Sequence, residues 1–214
     1  MKTFENWESE ELELTFGLQR VKNSLSLGQW LKAKCIITDI ENLRIDILRS
    51  ELSDNADYWN EDELKFFFIS PLIAFVNFTS EKFKPFTQRP LATMKTDVNG
   101  SEVELKGRVE FIVATGKQHP RHPFFFLHEY KPEKRRDKDP LGQVLSAMLA
   151  SRELNTTKHA LYGCYVVGRM WFFVLLQNNE YSVSQAYDAT KKDDLSAIFC
   201  ILKECKKYVE ALVG

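Results

Sequence analysis

Residues 106–148 constrain the fold of this 214-residue chain more than any other stretch. They predict a strand at 108–114, a polar turn, and a second, very apolar strand at 124–131. A charged loop follows, and then a helix that begins at Asp139. Because the second strand is so apolar, we expect it to be buried on both faces.

Glu129 and Lys131 stand at the end of that apolar strand. Side chains alternate between the two faces of a strand, so these two residues share a face. A buried acid and a buried base cost desolvation free energy unless they are paired or bind a metal. This conflict between burial and charge marks Glu129 and Lys131 as candidate functional residues.

Composition limits the classes of function. The chain is 44% hydrophobic and 28% charged, as is common for globular proteins, and its formal net charge is −1. No overall field therefore attracts nucleic acid or an acidic membrane, so polyanion binding needs a local cluster of charge. The sequence contains no signal-peptide pattern and no apolar run of transmembrane length. We therefore expect a cytoplasmic protein with no membrane partner.

The four cysteines show no paired C-x-x-C spacing. A zinc site or a disulfide framework is typically recognised by such spacing. The sequence therefore favours reduced cysteines over either alternative.

The N-terminal part, residues 1–55, is predicted to be a helical accessory segment on a main domain at 56–214. A break between its first two helices is expected at residues 26–28. Its apolar residues form helical stripes that we expect to be buried. They are Leu12, Phe16, Leu18, Ile36, Ile40, Leu43, Ile47 and Leu48.

A helix is predicted from Glu61 to about residue 78. Asn60 is a suitable N-cap, and Glu63 is its capping-box partner three residues later. Glu61 extends the apolar stripe of this helix and is a candidate inward-facing acid. The alternative for either glutamate is a favourable negative charge near the positive end of the helix dipole. Pro71 is expected to kink the helix. The predicted buried stripe is Leu64, Phe67, Phe68, Leu72, Phe75 and Val76.

Glu110 lies in the strand at 108–114, between apolar neighbours. Strict alternation groups Val109 with Phe111 on one face and Glu110 with Ile112 on the other. Asp97-Val98-Asn99-Gly100 predicts the hairpin turn that precedes this strand. Glu110 is therefore an acid in a second largely buried strand.

The segment after the apolar strand is basic. Counting Lys131, residues 131–138 contain five basic and two acidic residues. Such a run is either a solvated loop or a phosphate contact. The candidate contacts are Lys134, Arg135, Arg136 and Lys138. Asp139 and Pro140 then fit an N-cap and first helical position, which places Gln143 in the first helical turn.

The C-terminal third predicts two strands joined at Gly168-Arg169, a further short strand, and a helix from about residue 193. The order of elements defines an α/β (α+β) domain.

With these residues identified, the chain resembles the PD-(D/E)XK nuclease superfamily. The resemblance covers residues 60–176 and rests on four features in order: the helical acid at Glu61 or Glu63, the strand acid Glu110, the triplet Glu129-Tyr130-Lys131, and Gln143 on the next helix. It implies a restriction-endonuclease-like α-β-β-β-α-β core with a mixed central sheet, preceded here by the N-terminal helical segment.

The resemblance also implies a function, a metal-dependent nuclease that hydrolyses phosphodiester bonds of DNA. Glu110 and Glu129 would bind Mg²⁺ or Mn²⁺, and Lys131 would activate the attacking water. Glu61 or Glu63 and Gln143 would support the site, and the four basic loop residues would bind nucleic acid. Carboxylate oxygens are the ligands that these hard cations prefer, which agrees with this assignment.

Two departures from the pattern keep alternatives open. Glu110 stands where the superfamily usually has aspartate, and Ala147 stands where a tyrosine follows the glutamine. A catalytically inactive domain of the same fold that binds nucleic acid or a protein partner is the alternative function. Homodimer formation also stays open, with the tryptophans as candidate anchors or core residues: Trp7, Trp30, Trp59 and Trp171.

Overall fold

The structure is a computed structural model that describes residues 2–131, 139–155 and 158–213, with the backbone alone for residues 122–131. In chain order its strands are β1 (Gln19–Arg20), β2 (Lys84–Thr96), β3 (Glu102–Thr115), β4 (Arg121–Lys131), β5 (Leu161–Val167), β6 (Met170–Gln177), β7 (Glu180–Val183) and β8 (Tyr187–Asp188). They form one sheet in the order β1-β7-β6-β5-β4-β3-β2, with β8 paired to β6. The β1–β7 and β4–β5 pairs are parallel and the others antiparallel, so the sheet is mixed.

Helices cover both faces of this sheet. The α-helices are α1 (Ser9–Phe16), α2 (Leu25–Leu31), α3 (Asp39–Asn55), α4 (Glu61–Leu64), α5 (Ser70–Val76), α6 (Pro140–Leu154) and α7 (Lys192–Val213). A 3₁₀ turn spans Phe4–Asn6, and a π turn at Lys65–Ile69 joins α4 to α5. The first core lies between the sheet and α2, α3, α4, α5 and α7. The second core lies on the opposite face, under the 3₁₀ turn, α1 and α6.

Elements with strong local signals form as predicted. The β2–β3 hairpin turns at Asp97–Gly100, where Gly100 has a φ of 85°. Gly168, with a φ of 56°, turns the chain between β5 and β6. From Glu61 to Val167 the order is helix, three strands, helix and strand. A mixed α/β domain is therefore confirmed, and the division of the chain at residue 55 stays a prediction.

The predicted break between the first two helices is in the wrong place. Gly17, with a φ of 66°, ends α1, because a left-handed residue without a Cβ is a favourable helix end. Residues 26–28 instead lie inside α2, which begins after the N-cap Ser24. The Ser24 hydroxyl accepts a hydrogen bond from the Leu27 N–H at 3.2 Å. A capping serine therefore starts a helix where a break was expected.

The buried stripe of α3 also differs from the prediction. Ile45, Leu48 and Leu52 face the first core. Leu48 was predicted to be buried, but the other apolar residues of that stripe are exposed: Ile36, Ile40, Leu43 and Ile47. This segment carries two apolar stripes of helical spacing, and tertiary packing selects the one that continues to the buried Ala56. Periodicity alone cannot distinguish them.

The π turn explains a further difference. Ser70 directly precedes Pro71, and its N–H donates a hydrogen bond to the carbonyl of Lys65, five residues earlier. Proline has no N–H, and its ring crowds the carbonyl four residues earlier, that of Phe67. The extra residue in this turn rotates Phe67 outward, so its predicted burial is wrong, whereas Phe68 is fully buried. The expected kink at Pro71 thus takes the form of a wide turn.

The cysteine prediction is wrong in part. Cys35, between α2 and α3, forms a disulfide with Cys200 of α7. These residues are 165 positions apart, and only the fold brings them together. Cys164 and Cys205 are free and buried, and burial raises the pKa of the Cys164 thiol.

Three tryptophans are core residues. Trp30 and Trp171 are fully buried in the first core, and Trp7 is buried in the second. Trp59 is partly buried beside the first core.

Among the described residues, no helix combines the length and apolar character needed to cross a bilayer.

Candidate functional site

The helical acids have separate roles at the start of α4. The Asn60 side chain accepts hydrogen bonds from the backbone N–H groups of Asp62 and Glu63 at 2.9 and 3.0 Å. The Glu63 carboxylate accepts from the Asn60 N–H at 2.8 Å, which completes the predicted capping box. Glu61 lies one turn before Lys65, with its carboxylate 3.6 Å from the Lys65 ammonium. Glu63 therefore caps the helix, and Glu61 is the acid that faces the Lys65 ammonium.

Glu110 joins the same cluster from β3. The Lys65 ammonium donates a hydrogen bond of 2.9 Å to the Glu110 carboxylate, and the Gln88 amide donates to the same oxygen. Only 14% of the Glu110 side chain is exposed. The fold thus brings two acids that are distant in sequence, Glu61 and Glu110, to one ammonium group. We call Glu61, Lys65 and Glu110 the carboxylate–lysine cluster.

The position of Glu110 depends on a break in the alternation of β3. Val109 and Ile112 both pack in the second core, whereas Phe111 packs in the first. The β2–β3 register skips Gln88 and Glu110, and Gln88 has a φ of 52°. The predicted grouping of Val109 with Phe111, and of Glu110 with Ile112, is therefore wrong. This irregularity turns the Glu110 carboxylate toward the helices of the first core.

Electrostatics hold the cluster together. Burial opposes the positive charge on Lys65, but its hydrogen bond and attraction to Glu110, with further attraction from Glu61 and Asp62, outweigh that effect. The pKa of Lys65 is raised as a result. Asp62, 3.7 Å from the ammonium, is itself exposed. A lysine thus supplies the positive charge between the two partly buried acids.

The triplet acid and lysine, Glu129 and Lys131, lie on β4, next to β3. Phe111 pairs with His128, the pair of the β3–β4 ladder nearest to Glu110 and Glu129. The side chains of Glu129 and Lys131 lie outside the described residues, so their meeting with the carboxylate–lysine cluster stays a prediction. The basic residues Lys134, Arg135, Arg136 and Lys138 also lie outside the described residues.

Gln143 occupies the first turn of α6, as predicted. Asp139 caps this helix by accepting from the Leu141 N–H at 2.9 Å, and its second oxygen accepts from the Ser9 N–H at 2.7 Å. Gln143 is 4% exposed, and its side-chain oxygen has no hydrogen-bond partner among the described residues. An unpaired buried oxygen costs free energy, so Gln143 is a candidate for a role beyond packing.

The donor set fits a hard divalent cation only in part. Among the side chains that the structure describes, no group of three or more histidines, cysteines and acids is placed to hold a metal ion. Glu61 and Glu110 supply carboxylate oxygens, which suit Mg²⁺ or Mn²⁺. The third acid of the predicted set is Glu129, outside the described side chains.

Sequence reasoning missed Lys65 and Gln88. Lys65 had an available signal, because it follows Glu61 by four residues, the spacing of a helical ion pair. Gln88 had none, since its contact with Glu110 depends on the local break in the sheet.

Comparison with known proteins adds little. No family model and no curated protein matches the chain. One solved structure with some likeness is described as "cryoEM structure DrdV-DNA complex", with 16% sequence identity and a TM-score of 0.39. The alignment covers 76% of this chain and 97% of that chain. At this TM-score the likeness carries no argument, so the proposals below rest on the residues themselves.

Proposed function

We propose that this protein is a metal-dependent nuclease that hydrolyses phosphodiester bonds of DNA. The observation that supports it most is the convergence of Glu61 and Glu110 on Lys65. Glu129 lies on β4, the strand that pairs with β3. A helical acid, a strand acid and the Glu-x-Lys triplet are the residues that the superfamily resemblance assigns to the site. This proposal extends the resemblance from a sequence pattern to a spatial cluster.

The proposal gives each residue a role. Glu110 and Glu129 bind Mg²⁺ or Mn²⁺, and Glu61 supports them. A bound divalent cation neutralises charge at the scissile phosphate and lowers the pKa of the attacking water. Lys131 holds and orients that water. Gln143 completes the site from α6, where its side-chain oxygen is buried without a partner among the described residues.

Cleavage of supercoiled and linear DNA in the presence of Mg²⁺ or Mn²⁺ tests the proposal. Lys131→Ala is expected to slow cleavage about a hundredfold or more, as is usual when a group that handles the reacting proton is removed. Lys106→Ala is the matched control, because Lys106 pairs with Glu104 at 2.6 Å along β3. Equal rates for the wild type and Lys131→Ala, or no cleavage with either metal, would contradict the proposal.

The two helical glutamates offer a second test. Glu61→Gln should weaken Mn²⁺ binding measured by calorimetry, because it removes a charge from the cluster. Glu63→Gln should bind Mn²⁺ as the wild type does, since glutamine also serves in a capping box. Equal Mn²⁺ affinity in both variants would remove Glu61 from the site.

One observation favours a second candidate function, a nucleic-acid-binding domain without catalysis. Glu110 already accepts hydrogen bonds from Lys65 and Gln88, so the protein itself neutralises this acid. This candidate predicts no heat on Mn²⁺ titration and no cleavage. Nucleic-acid binding would be salt-sensitive, and neutralising Lys134, Arg135, Arg136 and Lys138 would reduce its salt dependence.

A further inference from the structure

Exposed aromatic rings lie beside the carboxylate–lysine cluster. Phe66 and Phe67 follow Lys65 directly and are 72% and 46% exposed. Phe67 stacks on Trp59 with ring centroids 5.6 Å apart and an interplanar angle of 23°. Phe66 meets Phe67 edge to face at 5.1 Å. We call Trp59, Phe66 and Phe67 the aromatic platform.

The platform shares a concave surface with Lys65. This cavity of about 650 Å³ is lined by Phe66, Phe67 and Lys65, together with Asn60, Asp62, Glu63 and Ser70. Burying the apolar surface of an aromatic ring is favourable, and an exposed ring lacks this contribution to the free energy. The π turn holds two such rings outward at the edge of the proposed site, where a flat ligand can cover them.

A basic groove adjoins this surface. A second cavity of about 460 Å³ includes Lys84, Arg89 and Lys117 in its wall, and it shares Ser70 with the first. The Arg89 Nε is buried and has no hydrogen-bond partner among the described residues. Lys84 and Arg89 lie over the Phe86 ring, at 5.2 and 5.8 Å from its centroid. We call Lys84, Arg89 and Lys117 the basic groove.

Glu110 connects the two surfaces. Its carboxylate accepts hydrogen bonds from Lys65, which lines the platform cavity, and from Gln88. Gln88 directly precedes Arg89, a residue of the basic groove. A strand that runs from the platform to the groove would therefore pass the carboxylate–lysine cluster.

From this arrangement we propose that the protein binds single-stranded nucleic acid, with bases stacked on the aromatic platform and phosphates in the basic groove. Every base has a π face, so stacking on aromatic side chains is tolerant of sequence. In a duplex those faces are covered by neighbouring bases, which makes a single strand the better ligand. Asp62 and Glu63 line the platform cavity and repel phosphates from it, so the phosphates are expected in the basic groove. The inference rests on the proposed function for the role of the site, but binding itself needs no turnover.

The experiment is fluorescence anisotropy with a labelled 20-nucleotide single strand and its 20-base-pair duplex, in EDTA so that no cleavage occurs. The wild type should bind the single strand at least about tenfold more tightly than the duplex. The double variant Phe66→Ala, Phe67→Ala should lose about tenfold or more in affinity for the single strand. Arg89→Ala should weaken binding and reduce its salt dependence. Leu14→Ala, which removes an exposed apolar side chain from α1, is the control and should bind as the wild type does.

The outcomes separate this inference from the proposed function. Equal binding of single strand and duplex, or an unchanged double variant, would overturn the inference. If duplex DNA is cleaved with Mg²⁺ while the single strand fails to bind, the inference fails and the proposed function stands. Single-strand binding in EDTA without cleavage under any metal supports the inference and contradicts the nuclease. If no nucleic acid binds and the double variant alters self-association, the platform is a protein-docking surface and the inference is overturned.

Discussion

The helices on the two faces of the sheet bury their residues very differently. In α6, all residues from Leu141 to Ser151 are buried. Along α4, the π turn and α5, buried residues such as Leu64 and Phe68 alternate with the exposed Phe66 and Phe67. Strands and the N-terminal segment enclose α6, whereas the segment of α4, the π turn and α5 exposes aromatic rings to solvent. Gln143 is buried because α6 is covered on all sides, whereas the π turn places Phe66 and Phe67 at the surface.

Local chemistry explains the contrast. The first turn of α6 contains Gly142, and the carbonyl of Trp7 lies only 2.2 Å from where a Cβ on this glycine would stand. The N-terminal chain therefore passes directly over α6. The other helix has Pro71, which cannot donate to the Phe67 carbonyl and is preceded by the π turn. Close packing and a missing donor thus produce opposite exposures.

The largest expected effect contrasts two phenylalanines that are two residues apart. Phe68→Ala should lower the free energy of unfolding by about 3–5 kcal/mol, because it leaves a cavity in the first core. Phe66→Ala should change it by less than about 0.5 kcal/mol, since this ring is exposed. Urea denaturation measures both. Similar losses in the two variants would mean that the Phe66 ring is packed in the core as the Phe68 ring is.

A smaller effect contrasts two helical glycines. Gly142→Ala should destabilise the protein by about 1–3 kcal/mol, because the new methyl group would meet backbone atoms of Trp7, Glu8 and Ser9. Gly28→Ala in α2 meets nothing within 4 Å and should stabilise by about 0.5–1 kcal/mol through helix propensity. Thermal unfolding resolves the two signs. A neutral Gly142→Ala would show that the N-terminal segment is not packed on α6.

The smallest effect concerns Lys65, at the start of the π turn. Its raised pKa means that the folded protein holds this proton more tightly than the unfolded chain. The resulting stability is fully present below the ordinary lysine pKa of about 10.5 and is lost as pH rises through the folded value. Burial raises the pKa of Tyr162 and Tyr165 to about 12, which also lowers stability at high pH. The difference between wild type and Lys65→Met isolates the lysine.

Chemical denaturation at pH 8 and at successive points above pH 10 measures this difference. The stability advantage of the wild type over Lys65→Met should narrow as pH rises. An advantage that stays constant would show that the ion pairs with Glu110 and Glu61 do not stabilise the fold.

Features set by neighbouring residues could be predicted from the sequence. The capping box of Asn60 and Glu63, the Asp139 cap and the turn at Asp97–Gly100 each depend on a few adjacent residues, and each forms as expected. The sequence predicted the apolar character of β3 but not the break in its alternation at Glu110. That break depends on the backbone of Gln88, which lies in β2.

Features that depend on tertiary contacts could not be predicted. Two stripes of α3 fit the helical period, and only packing decides between Ile45 and Ile47. The cluster partners of Glu110 come from two other elements, so no local pattern identifies Lys65 as the neutralising cation. Residue spacing identified the acids of the candidate site but not the charges around them.

The bond between Cys35 and Cys200 turns most of the polypeptide into a closed ring. In the chain-entropy description, a ring of this size reduces the freedom of the unfolded chain by about 5 kcal/mol. A protease that cuts once between these cysteines opens the ring without releasing a fragment. The nicked protein would therefore migrate as one band until a reductant separates it into two.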